Sequence, residues 1–344
     1  MRAPFLLALL ALVACAAEED SGPAATRATR NPGADNANGE HGSNAPAGDA
    51  DQPAAGTTLQ SETWADGKTL SENVTIAAGA TVTIAPGATV NVAKDVAITV
   101  LGTLKVAAGT SHAKLVGDAW VGIVVGAGGT LDADGLDLSK PASAIWTKAG
   151  NAGATFANGD IDAVSPFKME AGSKLAISKS TVKAIAGSAI AGTFTASYMT
   201  YDKTTAGGLT LNDAQGSMTI TDSTLKGSGS GDYVISQKGK LVKVEYTTVA
   251  GAHCGFHFDS VDQYVIDHVS TDANSYGAML YGSGAGPNTV TSSNIRSLEH
   301  DLDMSGTNGK LTVSDTFTGG KDRFAANATV TNPRTTAVAN AKPR

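Results

Sequence analysis

The hexapeptide Ile177-Ser-Lys-Ser-Thr-Val182 returns as Ile220-Thr-Asp-Ser-Thr-Leu225, Val244-Glu-Tyr-Thr-Thr-Val249, Val290-Thr-Ser-Ser-Asn-Ile295 and Val313-Ser-Asp-Thr-Phe-Thr318, with a degenerate copy at Ile266-Asp-His-Val-Ser-Thr271. In chain order the first positions lie 43, 24, 22, 24 and 23 residues apart, the first gap being about two periods. An apolar residue followed by a short polar run, repeated with a period in the low twenties, is the mark of a solenoid. Each repeat is too small to bury its own apolar side and does so against its neighbours.

The upstream half carries the same texture in shorter pieces: Val74-Thr-Ile76, Thr81-Val-Thr-Ile84, Thr89-Val-Asn-Val92, Ala97-Ile-Thr-Val100 and Thr103-Leu-Lys-Val106. Apolar and polar residues alternate with period two, so these are strands, and Gly-containing turns separate them. A leucine-rich horseshoe would need its Leu-x-x-Leu-x-Leu signature and helix-length connectors, and neither occurs. The expected fold is therefore all-β, one parallel β-helix over residues 59–330. At about 22 residues per coil it has roughly a dozen coils stacked at about 4.8 Å. Trp64 is expected to cover the first coil and Lys321-Asp-Arg-Phe324 to close the last, because an open end exposes unpaired backbone groups. A flexible tail is expected over 331–344, loose beyond Asn332.

The run Asn73–Val92 resembles the opening of many bacterial parallel β-helices, and residues 65–320 resemble the pectin-lyase-like superfamily. That resemblance implies a right-handed coil. It implies little about activity, since the same scaffold serves lyases, hydrolases, epimerases, adhesins and purely structural proteins.

Composition fits this fold: 40 Gly, 5% aromatic and 17% charged residues in 344, with Ala, Thr, Ser and Val making up much of the remainder. The net charge of −7 and the absence of a basic block exclude nucleic acid as a partner, because backbone binding needs clustered Lys and Arg. Between Thr58 and Asn327 the only arginines are Arg296 and Arg323, which also argues against a phosphate ligand.

Residues 1–14 form one positive charge and an apolar run too short to span a bilayer permanently, the pattern of a secretory signal. The run ends Leu12-Val13-Ala14-Cys15, which resembles the lipobox of bacterial lipoproteins and implies lipidation of Cys15 and anchoring to a membrane. Ala16 in place of Asp implies sorting to the outer membrane of a Gram-negative cell. The alternative is an ordinary signal cut after Ala16 or Ala17 that discards Cys15. From 16 to 58 the chain has no Val, Ile, Leu, Met or aromatic residue, so it is expected to be a disordered linker spanning about 35–40 Å.

The chemistry is less marked. The Asn-Thr-Asp, Asp-Asp, Gly-His-Gly and Arg-Ile-Lys motifs of galacturonase-type hydrolases are missing. Asp222 and Asp315 sit in the repeated turn, where short polar side chains satisfy backbone donors. One region departs from the monotony. Four of the six histidines lie between His253 and Asp303, together with tyrosines and acids. Aligning coils by their turns sets Phe256-His-Phe-Asp259 beside Ala278-Met-Leu-Tyr281 and Leu302-Asp-Met304. With Phe256, Phe258, Leu280, Leu302 and Met304 inward, alternation sends His257, Asp259, Met279, Tyr281, Asp301 and Asp303 outward, with Glu299 and His300 at the edge. This face is the candidate ligand site, and the catalytic set if the protein is an enzyme.

No cofactor or metal is expected. Asp132-Ala-Asp-Gly-Leu-Asp137 lacks the spacing of a calcium loop. In His253-Cys254-x-x-His257 alternation argues against convergence, and Cys254 reads as a buried thiol, since two cysteines less Cys15 leave none to pair with. Three functions stay open. They are a non-enzymatic envelope lipoprotein binding polysaccharide or an envelope protein, a polysaccharide lyase or glycoside hydrolase, and an adhesion or motility protein.

Overall fold

The computed structural model describes residues 56–344 apart from 108, 205–206, 228, 230, 273–274, 282–285, 305–309 and 324–327. The signal segment, Cys15 and nearly all of the linker lie outside the described residues. Described strands begin at Thr57–Leu59, two residues ahead of the boundary read from the sequence.

The chain is a parallel β-solenoid of about 11 turns without a helix among the described residues. Most coils supply three short strands to three faces, while Leu209–Thr221 and Val234–Glu245 each run unbroken across two of them, and every pairing between named strands is parallel, with the same face of the next coil. Register follows from the apolar alternation. Val74 pairs with Ile98, Ile98 with Ile123, Ile123 with Ile145 and Ile145 with Phe167, so one inward residue stacks on the next along the axis. A one-residue slip would turn this entire row to solvent, which is why the register is firm. The interior is aliphatic in the early coils. In later coils it turns aromatic, with Phe167 against Phe194 at 5.6 Å, Tyr201 against Tyr233 at 5.7 Å and Phe258 against Tyr264 at 5.4 Å between ring centroids. Trp64, at the end of the first-coil strand Glu62–Trp64, is fully buried beside Ile84 of the next coil.

The repeated hexapeptide proves to be one corner of the coil. Its third residue takes a left-handed backbone in each copy, with φ between 45° and 52° at Lys179, Asp222, Tyr246, His268, Ser292 and Asp315. Such a conformation costs a non-glycine residue about 1 kcal/mol, and it is offset by a bond to the next coil. The Asp222 N–H donates to Glu245 O (3.1 Å), Tyr246 to Asp267 O (3.0 Å) and His268 to Thr291 O (3.1 Å).

The fourth residue points inward, where Ser223, Thr247, Ser293 and Thr316 are buried. Each of these hydroxyls donates to the carbonyl two residues back, at 2.6–2.9 Å. Ser223 also accepts from Met199 N–H (3.1 Å), and Ser293 from Val269 N–H (3.0 Å). Backbone donors at the corner are thus satisfied by the hydroxyl that follows, not by Asp222, whose carboxylate does something else.

The segment beyond Asn332, expected to hang loose, lies along the outside of the later coils. Asn294 clasps the backbone of Val338, donating to its carbonyl (2.9 Å) and accepting from its N–H (2.7 Å). Further along, Arg344 forms a two-point ion pair with Asp222 (2.7 and 2.8 Å) and stacks 3.9 Å from the Tyr246 ring. The bond from Arg344 holds the Asp222 carboxyl below the usual carboxylate range. Sequence reading missed this because the segment has almost nothing apolar to bury; polar clasps hold it instead.

Candidate functional site

The site lies on one face near the far end, built from the strands Cys254–Phe258, Tyr276–Leu280 and His300–Asp303 and from the residues leading into Val234–Glu245. Backbone register lines up Ile235, His257, Met279 and Asp303 across four coils, and Cys254, Tyr276 and His300 across three. The first is the outward row expected from alternation. Phe256, Ala278 and Leu302 form the buried row beside it.

Its centre is an acid that sequence reading overlooked. Asp232 precedes Val234, whose partner is Phe256, and so stands beside Cys254. Its carboxylate contacts His257 Nδ1 (2.5 Å) and His253 Nδ1 (3.3 Å) and accepts from the Cys254 N–H (3.2 Å). On the other side, His257 Nε2 lies 3.1 Å from Asp259 Oδ1. Extending the coil alignment one turn back from Phe256 would have exposed this acid.

Next to it the Tyr281 ring meets His257 edge-on at 6.3 Å, and its hydroxyl donates to Asp303 Oδ2 (3.2 Å). A second ladder of rings runs beside the first, with His253 to Tyr276 at 5.3 Å and Tyr276 to His300 at 5.5 Å. Glu299 bonds the Tyr276 hydroxyl and raises its pKa.

Two acids depart from their expected places. Asp301 was expected on the open face but is buried. It accepts from Ser297 N–H (2.8 Å) and Lys321 N–H (3.0 Å), tying the last coil to its neighbour. Asp303 keeps its place in the row, yet it is covered by Tyr281 and by Arg323, whose Nη1 lies 3.8 Å away. The reason is the segment around Lys321–Arg323, which pairs over the His300–Asp303 strand. His257, Asp259 and Tyr281 remain accessible. Asp301 is thereby removed from any acid pair on this face.

Alternation was expected to keep His253, Cys254 and His257 from all converging; Cys254 and His257 nevertheless come together, beside Asp232. His253 precedes the strand, so alternation does not govern it, and its Nδ1 lies 3.3 Å from Cys254 Sγ. Donor atoms of Asp232, Cys254 and His257 all fall within 4.8 Å of one another. Cys254 is buried and makes no disulfide, as read from the sequence.

No family model, curated protein or solved structure matches this chain. Its chemistry is therefore argued from the site alone. A groove of about 620 Å³ lies elsewhere, on the face carrying Lys114, Asp137, Asp160, Asp162 and Lys183. It has no aromatic lining, and Asp137 is already engaged by His112 (2.9 Å) and by Asp160 N–H (3.1 Å). Rings, imidazoles and carboxylates converge on the His257 face, which spans several coils, whereas the stack of Tyr246 on His268 beside Asp267 is covered in part by Arg344.

Electrostatics here reduce to one pair. Burial pushes the Asp232 carboxyl up, but bonds from His257, Cys254 and His253 outweigh it and hold the pKa down at about 2. The bond to Asp232 raises His257 in turn. These shifts are two views of one interaction and count once. The acid's contribution to stability is complete above its unfolded pKa of about 3.9 and is lost as pH falls through about 2. The imidazole's is complete below about 6.5 and is lost as pH rises through its raised native value. Asp232→Asn should therefore cost about 1–2 kcal/mol near pH 5.5 and much less at pH 9. Urea midpoints of both proteins at the two pH values check this, and an equal loss at both would refute the pairing.

Proposed function

We propose that the protein is an exported cell-envelope lipoprotein whose rigid solenoid presents the His257–Tyr281 face to a polysaccharide, binding without cleaving it. The observation that carries this is the double ladder of rings on successive coils, His253–Tyr276–His300 beside His257–Tyr281, edged by Asp259 and Glu299. A linear glycan lying along the axis meets a ring and a hydrogen-bonding group at each coil. That is the combination of flat apolar surface and polar rim that sugars need. Anchoring through Cys15 and placement in a Gram-negative outer membrane rest on the lipobox-like run and on the linker composition. Kinship with pectin-lyase-like β-helices rests on the coil period and on the Asn73–Val92 run.

A second reading, a polysaccharide lyase or hydrolase, is favoured by a specific arrangement. His257 is held between Asp232 and Asp259, with the Tyr281 hydroxyl nearby, its pKa pushed up to about 12 by burial and by Asp303. An oriented imidazole of this kind can take a proton.

One assay separates the two. The purified chain is run through gels containing acidic or neutral polysaccharides, and the same mixtures are assayed for new reducing ends and for unsaturated products. Retardation without cleavage is expected, weakened about tenfold by Tyr281→Ala, the loss of roughly one ring contact. Cleavage abolished by His257→Ala would replace binding with catalysis. Silence in both assays would remove the glycan and leave a protein partner in the envelope.

A further inference from the structure

We infer that Asp232, His253, Cys254, His257 and Met279 form a site for a soft transition-metal ion, copper in the Cu(I) state. This does not depend on the glycan reading, since a metal can be held whether or not a sugar binds the rings outside it.

The donors come from three successive coils; those of Asp232, Cys254 and His257 lie within 4.8 Å of one another, and His253 and Met279 each touch Cys254. Cys254 Sγ lies 3.1 Å from Met279 Sδ and 3.3 Å from His253 Nδ1. Asp232 carboxylate oxygens lie 2.5 Å from His257 Nδ1 and 3.3 Å from His253 Nδ1. Around an ion bound at 2.0–2.3 Å, tetrahedral ligand atoms are about 3.3–3.8 Å apart, a spacing within the range these donors span. Register explains the convergence. Asp232 stands beside Cys254, and His257 pairs with Met279, which puts the last two in adjacent coils of the outward row.

Orientation supports ligation as well. Asp259 engages His257 at Nε2, which leaves Nδ1 turned into the cluster. A carboxylate on the far ring nitrogen is the usual outer support of a metal-bound histidine. Access is built in: Cys254 is 1% exposed, whereas the His253 side chain is 49% exposed, so a small ion reaches the thiol past an imidazole. A disulfide-forming or alkylating reagent would be hindered at the same place.

The donor chemistry selects the ion. Thiolate and thioether are soft ligands, which calcium, magnesium and manganese do not favour. Two histidines, a cysteine and a methionine are the set that copper proteins use. Zinc accepts the thiolate and the imidazoles but draws nothing from the thioether. Hydrogen bonding alone would account for Asp232 and the two histidines. The Cys254 thiol donates to the Met279 thioether, which sets two soft sulfur donors side by side next to the carboxylate and imidazoles.

The test uses the full chain, reduced and anaerobic, titrated with Cu(I) against a chromogenic Cu(I) chelator. One equivalent per chain is expected. Cys254→Ser and His257→Ala should weaken it by at least about 100-fold and Met279→Leu by about tenfold, bracketing the range known for supporting and direct ligands. Met279→Leu conserves volume and keeps the fold, and far-ultraviolet dichroism confirms folding of each variant. X-ray absorption of the loaded protein should show mixed sulfur and nitrogen ligation. Binding that survives Cys254→Ser, or zinc displacing Cu(I) from the site, would overturn the assignment.

Discussion

Gly122→Ala is expected to cost about 4 kcal/mol or more, enough to prevent refolding of the early coils. Gly122 opens the strand Gly122–Val125 with φ at +127°, a backbone region that side-chain-bearing residues avoid. Space is the second obstacle. A methyl group there would sit 1.6 Å from the Ser143 carbonyl oxygen of the next coil, and that atom is backbone. It cannot turn aside without breaking the parallel stack at Ala142–Ser143, whose N–H groups bond Trp120 and Val121. Gly128→Ala is the control, since Gly128 also has a positive φ (72°) but nothing lies within 4 Å of the added carbon. It should cost about 1 kcal/mol, the dihedral term alone. Thermal unfolding of the two variants side by side separates clash from strain, and equal losses would refute the argument.

The second large effect has the opposite sign. Lys203 points into the solenoid, 1% exposed, and its ammonium finds no hydrogen-bond partner among the described residues beyond the Tyr233 ring face at 5.1 Å. Burial lowers its pKa to about 8. Below that value the folded chain keeps a charge that the unfolded chain solvates better, at a cost on the order of 2–3 kcal/mol. Lys203→Met should therefore stabilise the protein at pH 7 by about 1–3 kcal/mol. As pH rises from about 8 to above 10.4 the wild-type lysine becomes neutral in both states and the gap should close. Denaturant midpoints at pH 7 and pH 10.5 decide it. A variant less stable than wild type at pH 7 would mean the ammonium has a partner that matters.

The coil could be read from the sequence because its corner makes three separate demands on six residues. Ile220 and Leu225 must be apolar to reach the interior, Asp222 must tolerate a left-handed backbone, and Ser223 must bring a hydroxyl to an otherwise bare N–H. Few sequences meet all three by accident, so the period stands out. The row at His257 followed from the same alternation, and His257, Met279 and Asp303 share one register, although Asp303 is buried within it. What stayed hidden comes from segments that carry no repeat. Asp301 and Asp303 are covered by residues 319–323, which lack the hexapeptide, and nothing local signals that a lid arrives some twenty positions later. Asp232 sits in the irregular segment ahead of Val234, one coil earlier than His253, where period-two reasoning stops. Three-dimensional neighbours in a solenoid are a coil apart, and an irregular loop breaks the count.

The polar segment along the outer corner changes how the rod comes apart. A stack of identical layers held only by adjacent contacts loses its outermost layer first, then the next, each at small separate cost. Here Arg334 bonds Thr316, Val338 is held at Asn294 and Arg344 is held at Asp222, so one short strip is fastened at three heights. Peeling the last layer drags on a layer four corners inward, counted from Asp315 to Asp222. The end of the rod carrying the ring ladders and the sulfur cluster is thereby laced like a boot: it yields all together or holds, and the surface it displays keeps its spacing until it does.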